Sequence, residues 1–335
     1  DITDEDIRSV VEVLRSDFLT QGPQVEKFEA ALRATTGAGY AVAVANATAA
    51  LHLSCLALGI GPGDEVWTSP NTFVASANCA RYCGACVDFV DIDPRTYNLS
   101  VPALEKKLKS GRIPKALIPV HFAGQSCDME SVAALAKQYG FFVIEDASHA
   151  VGGKYKGRPI GSCDYSDLAV FSFHPVKIVT TGEGGAVLCN DHKLADRVAL
   201  LRSHGITRDA DLMTEPSHGP WYYQQMELGW NYRLTDIQAA LGASQLRRLQ
   251  AYIERRHELA ERYDRLLADL PVSIPYRTRE ARSAFHLYAI RLELKKIKPT
   301  HRQVFESLRE NGIGVQLHYI PVHLQPDYKR LGFRS

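Results

Sequence analysis

From Ala41 to Asn190 the chain alternates short apolar runs with longer stretches whose apolar positions recur every three or four residues. The short runs are Ala41 to Ala45, Glu65 to Ser69, Val87 to Ile92, Ala116 to Phe122, Phe141 to Ile144 and Leu168 to Phe173. Most are continuously apolar, as in strands buried on both faces. Between them, Asn46 to about Leu58, Asn71 to Tyr82, Pro102 to Lys109 and Cys127 to Tyr139 read as helices, and Asp191 to Arg202 follows as another. This order predicts an α/β fold with a mainly parallel sheet covered on both faces. Two helices precede it. Asp4 to Ser16 carries Ile7, Val10, Val11 and Leu14 on one face, and Gln24 to Thr35 is the second.

Beyond Asn190 the pattern changes. Ser203 to Trp230 is long, irregular and aromatic, with Trp221, Tyr222 and Tyr223, and loops of that length are usually functional or interfacial. A helix starts at Thr235-Asp236 and runs to about Leu267, with a break near Leu249. Then come a strand over Ala284 to Leu294, a helix over Thr300 to Glu310 and a strand around Val315 to His318. The expected division is a large domain over 1–245, with its N-terminal helical segment, and a smaller α+β domain over 246–335.

Parallel crossovers are right-handed, so strand ends and helix starts collect along one edge of such a sheet, where open α/β sheets bind ligands. Three candidate features fall there. The run Phe141 to Ile144 ends in Glu145-Asp146. The run Leu168 to Phe173 carries Ser172 and is followed by Lys177, an Ile-Val pair and a Gly-Glu-Gly-Gly turn. Asn46-Ala47-Thr48 turns from a strand into a helix, whose first N–H groups and dipole favour an anion. A lysine in apolar sequence has its charge disfavoured by desolvation, which frees the amine to attack a carbonyl. Such an amine, a carboxylate for a ring nitrogen and a phosphate cradle are what pyridoxal phosphate (PLP) requires. Taken singly, Asp146 reads as a helix cap, Lys177 as a surface residue and Thr48 and Ala49 as an ordinary helix start. Together with Ser172 they read as a cofactor site.

Composition narrows the classes. With 335 residues, 45% hydrophobic and 23% charged, the chain has the make-up of a globular enzyme, and a formal net charge of +1 argues against broad nucleic-acid binding. The longest apolar stretch, Tyr40 to Ile60, is interrupted by Asn46, Thr48, His52 and Ser54, so no membrane span is expected. Seven cysteines and no visible secretory signal fit a reducing cytoplasm. Cys79, Cys83 and Cys86 have the spacing of an iron–sulfur motif. However, the helix ending near Gly84 puts the first two on a helix face and the third in a strand, so core packing is the better reading. Asp91 and Asp93 read as a strand end and turn, and no metal is expected.

The motifs EDASHAVGGKYKGRPIG, FSFHPVKIVTTGEGGAV, RSHG and GWNYRLTDIQAALGASQL resemble the DegT/DnrJ/EryC1/StrS family of sugar-nucleotide aminotransferases, nearest to its UDP-4-amino-4,6-dideoxy-N-acetyl-altrosamine transaminases of pseudaminic acid synthesis. The resemblance covers nearly the whole chain and implies the type I, aspartate-aminotransferase-like PLP fold. It implies that Lys177 forms the Schiff base with PLP, that Asp146 meets the ring nitrogen, and that Thr48, Ala49 and Ser172 hold the phosphate. By the same resemblance Asn231 reaches the phosphate bound to the other subunit, which implies a homodimer with shared sites. Phe73 stacks on the ring by resemblance, and is a core aromatic on sequence alone. For His149 a place near the ring and a structural hydrogen bond are equally open. Leu19 and Thr20 lie in a loop at the substrate mouth by resemblance, a plain connector otherwise. Arg233 has a phosphate or a structural ion pair as its alternatives, and His318 and Tyr319 resemble residues near the substrate. Relatives continue beyond the C-terminal residue here, so the small domain reads as incomplete.

The implied reaction moves an amino group from glutamate to the C4 keto group of a UDP-linked 2-acetamido-2,6-dideoxysugar. Transaminases of other 4-keto sugars, of the 4-amino-4-deoxy-arabinose or perosamine type, are the nearest alternative. A sugar dehydratase on the same scaffold carries histidine at the lysine position, so Lys177 argues against it. A non-catalytic PLP or sugar-nucleotide binding protein is the remaining one.

Overall fold

The computed structural model describes residues 1–334. It opens with helices α1 (Asp4–Leu14) and α2 (Pro23–Thr36), the latter started by Pro23 and stopped by Gly37 in the left-handed region. The alternating part follows: β1 (Tyr40–Val44), α3 (Ala47–Ala57), β2 (Glu65–Thr68), α4 (Ala75–Tyr82), β3 (Cys86–Phe89), α5 (Val101–Leu108), β4 (Ala116–Ile118), α6 (Met129–Tyr139) and β5 (Phe142–Asp146). A small hairpin, β6 (Lys154–Tyr155) and β7 (Arg158–Pro159), precedes β8 (Leu168–Ser172), β9 (Gly185–Cys189) and α7 (His192–Arg202). The irregular aromatic stretch contains only the short pair β10 (Ile206–Thr207) and β11 (Gln224–Gln225). Helices α8 (Asp236–Leu246) and α9 (Leu249–Leu267) come next, separated where the break is expected. The remainder holds β12 (Val272–Ser273), β13 (Ala281–Arg282), β14 (Arg291–Leu292), α10 (His301–Glu310) and α11 (Pro326–Arg330).

Seven strands form the central sheet in the order β1-β9-β8-β5-β4-β2-β3. From β8 to β3 all neighbours are parallel, and β9 runs antiparallel to both β8 and β1. The exception has a plain cause. No helix lies between Ser172 and Gly185, so the chain returns directly, and a direct return makes an antiparallel pair. One face of the sheet packs on α3, α4 and α7, and the other on α2, α8 and α9. A third cluster around Trp67 joins β2, β4 and β5 to α5 and α6.

Three expectations are corrected. Residues 71–74 are not helical, and α4 starts at Ala75. Their side chains serve other partners: Asn71 Oδ1 accepts from the Tyr319 N–H (3.1 Å), and the Thr72 and Ser76 hydroxyls bond each other (2.8 Å). Of the strand over Ala284 to Leu294 only β14 forms, with β13 lying before it, because residues 284–287 dock on Ala123 and Gly124 instead. Val315 to His318 forms no strand. The C-terminal segment also returns to the large sheet. Val322 and Tyr328 are buried in the cluster with α3 and α4, the Val322 N–H bonds Pro70 O, and the Tyr328 hydroxyl bonds Asn78 Oδ1 at 2.7 Å.

Helix α1 is pinned to α8 and the start of α9 by Asp6. This buried carboxylate accepts from the Thr3 N–H (2.9 Å), Ser244 Oγ (2.6 Å) and Gln245 Nε2 (2.9 Å), and pairs with Arg248 at 2.6 Å. Burial raises its pKa, but Arg248 and the other donors outweigh burial and hold it well below the usual carboxylate range. A depressed folded-state pKa stabilises above the unfolded value and is lost as pH falls through the folded one. Asp6→Asn should lower stability by about 2 kcal/mol at neutral pH, read by urea denaturation. The gap from wild type should narrow as pH falls below about 4, the ordinary carboxylate value.

Candidate active site

A cavity of about 720 Å³ opens at the carboxyl ends of the parallel strands, with the start of α3 along one side. Asp146 ends β5 and is buried. Its Oδ2 accepts from Ser76 Oγ at 2.6 Å and its Oδ1 from the Ser148 N–H at 3.1 Å, which fixes the carboxylate's orientation. Strand alternation sends the preceding Glu145 the other way, into a buried pair with His121 Nε2 (2.6 Å) and a bond from Ser166 Oγ (2.5 Å). The Cys127 N–H donates to His121 Nδ1 (3.1 Å), so the imidazole proton sits on Nε2 and points at Glu145. The end of β5 is thus locked from both faces.

Lys177 sits in the turn between β8 and β9. The turn is closed by the Phe173 N–H to Gly184 O and the Thr181 N–H to Phe173 O, and anchored by buried Ile178 and Val179. The amine lines the same cavity as Asp146. Burial pushes the Lys177 pKa down to about 8, against the opposing pull of the Asp146 carboxylate. At pH 7.5 roughly one amine in four is then uncharged, against about one in a thousand at the ordinary value.

At the other end, the start of β9 lies directly on the turn into α3. A Cβ on Gly185 would come within 2.5 Å of Asn46 C and 2.6 Å of Ala47 N, so only glycine fits. Asn46 caps α3 by accepting from the Ala49 N–H at 2.8 Å. Ala49 lines the cavity, yet its amide is engaged, and the first helical N–H groups left to meet an anion are those of Ala47 and Thr48. Ser172 lines the cavity beside them.

Four more of the candidates line this space, and four do not. Phe73 lines the cavity and is 61% exposed, so it stands at the mouth and is not a core aromatic. His149 and His318 line the cavity, both with pKa values lowered, first by burial and then by nearby positive charge including Lys177. Tyr319 Oη lies 3.1 Å from His149 Nε2. Asn231 is exposed, pairs with Ser203 and does not line the cavity, although its neighbour Tyr232 does. Leu19, Thr20 and Arg233 do not line the cavity. Thr20 bridges to Thr235, Leu19 O accepts from the Asp236 N–H, and Arg233 bridges to Val44.

Two residues of the site escape a reading of the sequence. Ser76 meets Asp146 across 70 positions, and only the packing of α4 on the sheet reveals it. His286 lines the cavity from the far part of the chain, in a segment read as strand. Among the described residues no group of three or more His, Cys, Asp or Glu is arranged to hold a metal ion, and no helix is long and apolar enough to cross a membrane.

An amine, a fixed carboxylate and open helix N–H groups around one cavity can hold an anionic, carbonyl-bearing aromatic base. Comparison with known proteins gives the same class. The model of the DegT/DnrJ/EryC1/StrS aminotransferase family matches residues 1–334. The chain belongs to this family. The family's members are PLP-dependent sugar aminotransferases of α/β fold. The spore coat polysaccharide biosynthesis protein SpsC of Bacillus subtilis is 43% identical over 99% of this chain and 85% of its own length. The UDP-4-amino-4,6-dideoxy-N-acetyl-β-L-altrosamine transaminase of Campylobacter jejuni is 40% identical over 98% of this chain and 85% of its own. The solved structure of Helicobacter pylori PseC, an aminotransferase of pseudaminic acid biosynthesis, superposes with a TM-score of 0.89 at 34% identity, covering 100% of this chain and 87% of that one.

The lowered pKa of Lys177 is measurable without any cofactor. In apo protein, competitive labelling with a trinitrophenylating reagent should modify Lys177 with a midpoint near pH 8, well below the surface lysines. Asp146→Asn should shift that midpoint lower still, because the carboxylate is the group that holds the proton on.

Proposed function

We propose that this family member transfers the amino group of glutamate to C4 of UDP-2-acetamido-2,6-dideoxy-L-arabino-hexos-4-ulose, giving UDP-4-amino-4,6-dideoxy-N-acetyl-β-L-altrosamine for pseudaminic acid synthesis. The chemistry rests on one observation: a half-buried lysine with a depressed pKa shares a cavity with a hydrogen-bonded aspartate and an open helix N-terminus. The choice of sugar rests on the likeness to the Campylobacter and Helicobacter enzymes. The likeness to SpsC, at 43% identity, favours a second reading in which another nucleotide-linked 4-keto sugar of polysaccharide synthesis is the acceptor.

The residues fit PLP at both ends. The Gly185 contact and the free N–H groups of Ala47 and Thr48 make a close-walled anion cradle, with Ser172 beside it. Asp146, held by Ser76 and Ser148, suits a protonated ring nitrogen. Phe73 and His149 border the space between these ends, and the partner subunit's Asn231 completes the cradle in a homodimer. When bound, PLP supplies a carbonyl for the amine and a ring that draws electrons from the adjacent carbon. Lys177 Nζ would hold PLP through that carbonyl, and as a free amine it would take the proton from the α-carbon of glutamate and return one to C4 of the sugar. Asp146 would keep the ring nitrogen protonated. His318 and Tyr319 line the cavity and are assigned to the sugar nucleotide, whereas Leu19, Thr20 and Arg233, which do not line it, keep that assignment by resemblance alone. All seven cysteines are free, which supports a reducing, cytoplasmic setting.

Purified protein with PLP should show an absorbance band that shifts on adding glutamate and returns on adding the UDP-4-keto sugar. Lys177→Ala should lose turnover by at least about 10⁴-fold, as expected for a nucleophile that is also the base. Retained turnover would remove Lys177 from the chemistry. Mixed dimers of Lys177→Ala and Asn231→Ala chains should regain activity that neither variant has alone. Absence of complementation, with chain exchange demonstrated, would contradict shared sites.

A further inference from the structure

His286 is the cavity residue whose placement the chain works hardest to secure. It lies in a non-strand segment between β13 and β14, docked on the turn at 121–125. The Ala284 N–H bonds Gly124 O (2.9 Å) and the Leu287 N–H bonds Ala123 O (3.2 Å). From α9, Arg256 Nη1 donates to the carbonyls of Phe285 (2.8 Å) and His286 (3.2 Å), and His257 Nε2 bonds Ser283 O at 2.8 Å. The approach is close enough to demand unusual backbone. Ala123 has φ 58° and Phe285 φ 46°, and Gly124 at φ 105° has no room for a Cβ, which would lie 2.9 Å from Phe285 N and from His149 O. Left-handed conformations at non-glycine residues cost on the order of 1–3 kcal/mol each and collect at functional sites. Here two of them face each other and deliver one imidazole.

The ring packs against His149, with centroids 4.5 Å apart. Its Nδ1 is buried with no hydrogen-bond partner. A buried N–H without an acceptor is rarer and costlier than an unshared lone pair, so the proton belongs on Nε2, the side of the ring that meets the cavity. Tyr319 supplies a second donor by the same reasoning. His149 Nδ1 accepts from the Ala123 N–H at 3.3 Å, so His149 Nε2 carries hydrogen and donates to Tyr319 Oη, leaving the phenolic hydrogen for the cavity. Two uncharged donors therefore converge beside Lys177. Burial, and then the charges of Lys177 and Arg256, push the His286 pKa down to about 3, so the ring stays neutral. Neutral donors suit uncharged oxygen, whereas carboxylates are better matched by guanidinium, and among the described residues Lys177 is the only lysine or arginine that lines the cavity.

We propose that His286 is a specificity-determining residue that donates from Nε2 to an uncharged oxygen of the sugar, its keto, hydroxyl or acetamido oxygen, and makes no comparable contact with glutamate. The inference rests on the aminotransfer reading. Two polar variants test it. His286→Gln keeps a donor near the Nε2 position, and His286→Asn keeps one only near Nδ1. Binding of UDP-4-amino-4,6-dideoxy-N-acetyl-altrosamine to PLP-free protein is measured by calorimetry, and the glutamate-dependent absorbance change is measured on PLP-loaded protein. His286→Asn should bind the sugar nucleotide about tenfold more weakly, the loss of one hydrogen bond, with the Gln variant within about threefold of wild type. The glutamate response of both should stay within about twofold. Equal sugar-nucleotide affinity in wild type and His286→Asn, equal losses in the two variants, or a matching loss towards glutamate would each overturn the assignment. A wild type that neither responds to glutamate nor binds the sugar nucleotide would remove the aminotransfer reading and this inference with it. A wild type that does both, beside an unaffected His286→Asn, would remove this inference alone.

Discussion

Keeping the Lys177 amine partly out of water, within reach of a carboxylate but not bonded to it, is the constraint on which the site depends. Fully solvated, the group would be an ammonium in all but about one molecule in a thousand at pH 7.5. Fully paired with Asp146, it would be held charged. The cavity sets a balance between these. Burial pulls the pKa down to about 8, while Asp146 opposes that shift from across the cavity with both oxygens already bonded to Ser76 and Ser148. The carboxylate is therefore oriented by its own donors and does not need the lysine to hold it.

The sheet makes that balance possible. Parallel β5 and β8 bring Asp146 and Ser172 to the same edge, and the return through β9 carries Lys177 back across it without a crossover helix. That same return seats Gly185 on the turn into α3, so one short segment sets both the amine and the wall of the anion cradle. The far part of the chain then closes the opposite side. His286 comes in on the dock between 284–287 and 123–124, and Tyr319 through its backbone bond to Asn71. The site is thus assembled from the whole chain on a rigid sheet edge.

Much of this is legible in the residues because it is local. Continuous apolar runs mark β1, β5 and β8, the glycine turn marks the return to β9, and an acid at the end of one strand and a lysine after another mark the site. What escapes the sequence is long-range. The loss of helix at 71–74 follows from Thr72 and Asn71 serving partners that no spacing reveals. The strand read over Ala284 to Leu294 has the right composition, but seven of its residues lie between β13 and β14 as a clamp around His286. Ala49 shows a subtler limit. A helix start suggests a free N–H there, and the identity of the residue before it decides otherwise, since Asn46 takes that donor.

The most direct measurement follows the nitrogen. Protein loaded with PLP is incubated with [15N]glutamate and UDP-2-acetamido-2,6-dideoxy-L-arabino-hexos-4-ulose, and the sugar is examined by 15N-edited NMR. The account predicts 15N bonded at C4 of the UDP-linked sugar, with one 2-oxoglutarate formed per amino sugar, and no transfer by Lys177→Ala. A sugar that is consumed without gaining 15N, or label that appears at another carbon, would contradict it.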